Sequence, residues 1–329
     1  MRKPGKHSEH SDTAPTTRMQ VGRYRFSCTC TNGGHVPSNL GFVLRRSLGN
    51  SMKAVVCSDG DRHCPDCSLS ARCTYCRVFE DARTDHGHYA MVASPPKPFV
   101  ITPDHPPGVQ APGNGRFGFD LVLLGRTDET LGHFYKAFSH MGTRGVMASP
   151  GSQRVAFAVE NLASGGMDVL AKTGRLTLPE IPAKWVTWPP EPAPAEHVAR
   201  CTVHMLTPMK IPFSRHFVTD LPFRDLMEAV VGRMETLFSY YGEGGLDVDR
   251  DSLLDMAGQV RVADSRLKWH GWRQRLPGRV DREPMAGLMG TVTYQGPVAA
   301  HLPLLRMAAE VHVGRDASAG CGKIRVDEK

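Results

Sequence analysis

Along this chain hydrophobic positions alternate between a period of two and a helical period, in an order that occurs twice. Gln20 to Cys30 (QVGRYRFSCTC) sets Val21, Arg23 and Arg25 against Tyr24, Phe26 and Cys28, the pattern of a strand whose arginines share one side. Leu40, Val43, Leu44, Leu48, Met52, Val55 and Val56 then recur at helical spacing, with Ser38 or Asn39 placed to cap. Arg45, Arg46 and Lys53 fall toward the polar side of that helix. Residues 95–103 (PPKPFVITP) and 116–125 (RFGFDLVLLG) read as two strands around a loop of prolines and glycines. A helix over Asp128 to Met141, a Gly-Thr-Arg-Gly turn at 142–145 and a strand over Arg154 to Val159 complete the first round.

The second round opens with a strand in 197–211 (RCTVHMLTPMKI) and a helix over Phe223 to Tyr241, with Leu226, Val230, Met234, Leu237, Phe238 and Tyr241 on one face. A strand or hairpin is expected in 261–282, and the glycine-bounded GLMGTVTYQG gives another strand. Pro303 presets the first turn of a helix carrying Leu302, Leu305, Ala308 and Ala309. A glycine-rich loop with Gly314, Gly320 and Gly322, edged by Arg315 and Lys323, leads into a closing strand. Strand, helix, strand, strand, helix, strand, twice over, predicts an α+β fold of tandem ferredoxin-like (RRM-like, βαββαβ) domains.

Residues 1–18 are too polar to repay their ordering entropy and read as a disordered tail. The domains are expected at 19–180 and 197–329, joined by a proline-rich linker at 181–196. At 329 residues the chain can bury two cores. It has no apolar run long enough to span a membrane and no apolar segment of signal-peptide kind at its start, which predicts a cytoplasmic protein.

Charge and cysteine content sharpen this picture. Of the net charge of +7, the segment 261–282 carries +5 through seven Arg or Lys and two Asp. Arg266, Lys268, Arg273 and Arg275 are placed to meet phosphates there, with Trp269 and Trp272 as stacking faces, a combination suited to single-stranded nucleic acid. In the glycine loop, backbone N–H groups without a nearby Cβ can approach an anion. Five of the nine cysteines lie between 57 and 76, as Cys57, then Cys64-Pro-Asp-Cys67, then Cys73-Thr-Tyr-Cys76. Two CxxC turns can share one tetrahedral ion, with five candidates for four positions, and four thiolates leave no open site for a reacting water.

The run from Gly287 through His312-Val313-Gly314-Arg315 to Gly320-Cys321-Gly322 resembles the C-terminal signature of the RAMP superfamily of CRISPR proteins. It is most similar to the precursor-crRNA processing endoribonucleases that carry a cysteine cluster in their first domain. LRRSLGNSM in the first helix and Thr207-Pro208 match the same branch, whereas Cys321 departs from the aromatic or aliphatic residue usual between the two glycines. The resemblance implies a structural zinc ion on Cys57, Cys64, Cys67 and Cys73, with Tyr75 in a final Cys-x-Tyr. It implies CRISPR repeat RNA as substrate, other CRISPR effector subunits as further partners, and metal-independent attack by a ribose 2′-OH. Such attack asks for a general base and a cation for the developing charge. The resemblance places the base near the first helix, which favours His35. His312 is the second candidate, His63 lies inside the cysteine cluster, and Arg45, Arg46 and Lys53 supply positive charge. The rival readings are a non-catalytic superfamily subunit that holds guide RNA and a zinc-dependent DNA-binding regulator. No helix-turn-helix or finger helix follows the cysteines to support the regulator.

Overall fold

The computed structural model describes residues 17–58, 64–80, 95–106, 115–125, 127–148, 151–170, 184–188, 199–211, 220–271 and 286–328. Its first domain contains β1 (Thr17–Cys30), α1 (Leu40–Val56), α2 (Thr74–Phe79), β2 (Phe99–Pro103), β3 (Arg116–Leu124), α3 (Thr127–Arg144), β4 (Phe157–Ser164), β5 (Met167–Asp168) and β6 (Lys184–Trp188). The second contains β7 (Arg200–Met209), α4 (Phe223–Tyr241), β8 (Gly242–Glu243), α5 (Arg250–Gly258), β9 (Arg261–His270), β10 (Gly287–Gln295), α6 (Leu302–Val311) and β11 (Ile324–Glu328).

The first sheet runs β2-β3-β1-β4-β5 and the second β11-β7-β10-β9. In each, the first and third main strands are central and antiparallel, with the second and fourth outside them, which is the ferredoxin-like order expected from the repeated pattern. Two expectations need correction. Thr17 and Arg18, assigned to the tail, already belong to β1. Lys184–Trp188, assigned to the linker, is the strand β6, paired with β1 from Thr17↔Trp188 to Val21↔Lys184. The physical reason is that Trp-Val-Thr-Trp is a good strand sequence and the long β1 offers it free backbone groups beyond β4. Residues 189–196 of the expected linker, and 1–16 of the tail, lie outside the described residues.

The core explains how the domains meet. Phe26, Phe119 and Phe138 pack between the first sheet and its helices, with Phe26 stacked on Phe119 at 4.8 Å between centroids. The opposite face of that sheet offers Met19, Val21, Val100, Val122 and Leu124, which join the apolar stripe of α4 and the interior of the second domain in one cluster. The apolar period of α4 therefore serves two sheets. β8 extends this junction by pairing Met19↔Gly242 and Arg18↔Glu243, and Arg23 reaches Glu310 at 2.6 Å. None of the described helices is long and apolar enough to cross a membrane.

Candidate functional site

At the junction, the N-terminal end of α1 meets the glycine-rich loop. Asn39 occupies the N-cap of α1 without a side-chain capping bond, and its amide instead donates to Ala148 O at 3.5 Å. The N-cap residue thus leaves this helix start, where the helix dipole is positive, without a side-chain cap of its own. Gly41 lies against Ala319 of the loop so closely that a Cβ would overlap the Ala319 carbonyl. Arg45 Nε donates to Ser318 Oγ at 2.6 Å, tying α1 to the loop, while Arg46 is exposed and donates to Met147 O at 2.7 Å. Ser38, Asn39, Gly41, Thr207 and Gly320 line a small pocket at this end, together with His105.

His105 was not legible as a site residue in the sequence. It follows β2 in a loop without a motif, and the ion pair of Arg25 with the neighbouring Asp104 braces that loop, with Arg25 Nη2 to Asp104 Oδ2 at 2.6 Å. Asp104 in turn raises the Arg25 pKa. His35 is exposed in the segment leading into α1.

His312 has a different role from the catalytic one expected. It is buried between the domains, with Nδ1–H donating to Cys321 O at 3.1 Å and Nε2 accepting from the Thr102 hydroxyl at 3.3 Å. Burial, and then the Lys323 ammonium, hold its pKa down at about 3. Its backbone at φ 59°, ψ 158° occupies a region nearly reserved for glycine, which costs about 1–3 kcal/mol and persists because both ring nitrogens are engaged. His312 is a neutral clasp between the domains.

The glycine loop also differs from the anion cradle expected. Gly320, Gly322 and Arg315 direct their N–H groups to Ala317 O, Pro208 O and Lys210 O, and Lys323 N–H donates to Thr207 Oγ1. Thr207 Oγ1–H completes the set by donating to Gly320 O at 2.8 Å. These amides close the loop on the protein and are not available to a ligand; Gly320 and Gly322 are buried, and the loop offers a solvent-facing cation at Arg315 and a half-buried one at Lys323.

On the second sheet, the face away from the core aligns Arg325, His204, Thr291 and Arg266 across four strands. His204 Nε2 meets Asp327 Oδ2 at 2.7 Å, and Arg266 pairs with Asp264 at 3.2 Å. Arg266 and the exposed Lys268 stand on β9, an edge strand. Trp269 does not join them. It pairs in register with the buried Leu288 and packs on the core, because a one-residue step along a strand reverses the face. Trp272, Arg273, Arg275 and His63 lie outside the described residues. Arg266→Ala with Lys268→Ala is expected to weaken RNA binding and to make its salt dependence shallower, by about 0.7 in log–log slope for each phosphate no longer neutralised. Equal affinity and slope in a filter-binding titration would remove this edge from the interface.

Among the expected zinc ligands, Cys64, Cys67 and Cys73 are half-buried beside α2, and Cys57 caps the far end of α1. The thiol that Cys64 and Cys73 approach is that of Cys76, outside the expected set. Among the described residues no group of three or more His, Cys, Asp or Glu side chains is placed to hold a metal ion.

Residues 203–324 match the family model of CRISPR-associated endoribonuclease Cas6, and residues 19–180 match a model described as N-terminal domain. The fold of a Thermus thermophilus Cas6 in a product complex covers 94% of this chain and 99% of its own, at 16% identity and a TM-score of 0.51. Residues 203–324 thus carry the pattern of a Cas6 domain. A partial Cas6-RT-Cas1–Cas2 complex matches this chain at 11% identity and a TM-score of 0.53, over 94% of the chain and 46% of the larger protein. At such identities the likeness is one of fold. No curated protein matches the chain significantly in sequence.

Proposed function

We propose that this protein cuts CRISPR repeat RNA by metal-independent transesterification and so matures guide RNAs. The observation that carries the reading is the start of α1 at the domain junction, left without a side-chain cap by its N-cap residue, flanked by His105 and preceded by His35, in a chain that carries the pattern of a Cas6 domain. His35 takes the proton of the 2′-OH as O2′ bonds to phosphorus. His105 gives a proton to O5′ as the P–O5′ bond breaks, which yields a 2′,3′-cyclic phosphate and a 5′-OH. The positive end of α1 offsets the charge of the phosphorane. Arg266, Lys268, Arg315 and Lys323 hold the backbone of the RNA, and further CRISPR effector subunits are partners for the product complex.

The test is incubation of the purified protein with labelled repeat RNA and EDTA. Cleavage at one position with a cyclic-phosphate end is expected. RNA carrying a 2′-deoxy nucleotide at that position should bind and remain whole. A requirement for added Mg²⁺, or cutting of the deoxy substrate, would rule out this chemistry. Tight binding without product would favour the non-catalytic guide-holding subunit instead.

A further inference from the structure

Two arginines share one side of β1, and the structure gives them different work. Arg23 pairs with Glu310 of α6. Arg25, two residues on, is committed to the loop that carries His105. It stands on the central strand β1, directly opposite Asp120 of β3. Its guanidinium reaches past that partner: Nη1 and Nη2 grip both carboxylate oxygens of Asp104, with Nη2 to Oδ2 at 2.6 Å, while Asp120 Oδ1 lies 3.5 Å from Nη1. A partly exposed ion pair contributes little stability, but a two-point arginine–carboxylate pair also fixes direction. The guanidinium crosses β3 at Gly118. A Cβ there would overlap Arg25 Nη2 and come within 2.9 Å of Asp104 Oδ2, although Gly118 has no positive φ that calls for glycine. The absent side chain is what leaves room for the pair.

Asp104 is therefore held by its backbone as well as its side chain, since its N–H donates to Gly118 O at 3.1 Å. His105 comes next, and Pro106 after it confines the His105 backbone to extended conformations. The histidine thus sits between a clamped residue and a proline, in the pocket it shares with Ser38 and Asn39. We propose that Arg25 is a positioning residue for cleavage: through its two-point pair with Asp104 it fixes where His105 presents its ring to the leaving O5′. The inference rests on the reading of His105 as the general acid. Such an acid must lie within hydrogen-bond reach of the atom it protonates, and a displacement of about 1 Å can cost about 10²-fold in rate. Arg25 touches neither the RNA nor the reacting atoms in this role.

The experiment measures single-turnover cleavage at saturating repeat RNA, and RNA affinity separately, in full-length variants. Asp104→Asn keeps the shape of a partly exposed side chain and removes its charge; Arg25→Gln removes the other partner. Both should cut about 10–100-fold more slowly with the parent's affinity. Gly118→Ala, which displaces the guanidinium without removing a charge, should fall the same way. Because Arg25→Gln leaves Asp104 and Asp120 without their shared cation and risks misfolding, Asp104→Asn carries the decision. In the His105→Ala background neither charge substitution should slow cleavage further, since both act through that ring, whereas a merely structural role would lower the rate equally in both backgrounds. Parent rates for Asp104→Asn and Gly118→Ala, in a protein that His105→Ala does slow, would overturn the inference and leave the acid in place. So would slowing that persists in the His105→Ala background. Weaker affinity with a shallower salt dependence in Arg25→Gln would make Arg25 a phosphate contact instead and overturn it too. Cleavage by His105→Ala at the parent rate would remove the general acid, and this inference with it.

Discussion

Adding one methyl group, as Gly322→Ala, should lower the stability of the folded protein by about 3 kcal/mol or more, from two separable causes. Gly322 has φ +69°, where an L-residue is disfavoured by about 1–2 kcal/mol. A Cβ there would also overlap the Val313 carbonyl and crowd the Val313 backbone, which is held in place because Val313 N–H donates to Gly322 O at 3.0 Å. Overpacking of this kind adds about 1–3 kcal/mol where nothing flexible can give way. Gly33→Ala is the control, since Gly33 has nearly the same φ, +67°, with nothing near its Cβ position. Urea denaturation should therefore show a much larger loss for Gly322→Ala than for Gly33→Ala. Equal losses would mean that the close packing of the loop contributes little. Because the loop carries the domain clasp at His312 and packs on α1, Gly322→Ala should also weaken RNA cleavage without touching a reacting group.

The loop shows what a sequence can and cannot disclose. Three glycines with flanking cations announce a backbone that must pass close to something, and an anion is one candidate. The structure shows that the neighbours are Pro208, Lys210, Val313 and α1, all parts of the protein. Apart from Val313 those are long-range partners, and a local pattern holds no record of them. The same limit applies to β6, whose pairing with β1 spans more than 160 residues, and to His105, which a loop without a motif carries to the start of α1. By contrast the main strands and helices were legible because burial follows a period of two or of 3.6, as in Tyr24, Phe26 and Cys28 or in the stripe of α4. Trp269 could have been placed by the same rule. It shares parity with Leu267, and Leu267 faces the core. Within the cysteines, spacing identified the two bends but left five thiols for four positions.

Removing either proposed proton carrier should slow cleavage by about 10²–10⁴-fold while RNA binding stays close to that of the parent. His35→Ala and His105→Ala are both informative because neither side chain belongs to the buried core, so a loss of rate is not a loss of fold. The double variant should be slower than either but by less than the product of the two effects, because groups that move protons in one transition state do not contribute independently. His312 provides the contrast. Replacing that neutral, buried ring should reduce stability. If His35→Ala and His105→Ala keep the parent rate, neither of these histidines moves a proton in the reaction, and catalysis there would have to rest on the helix end and Arg46 stabilising the phosphorane alone.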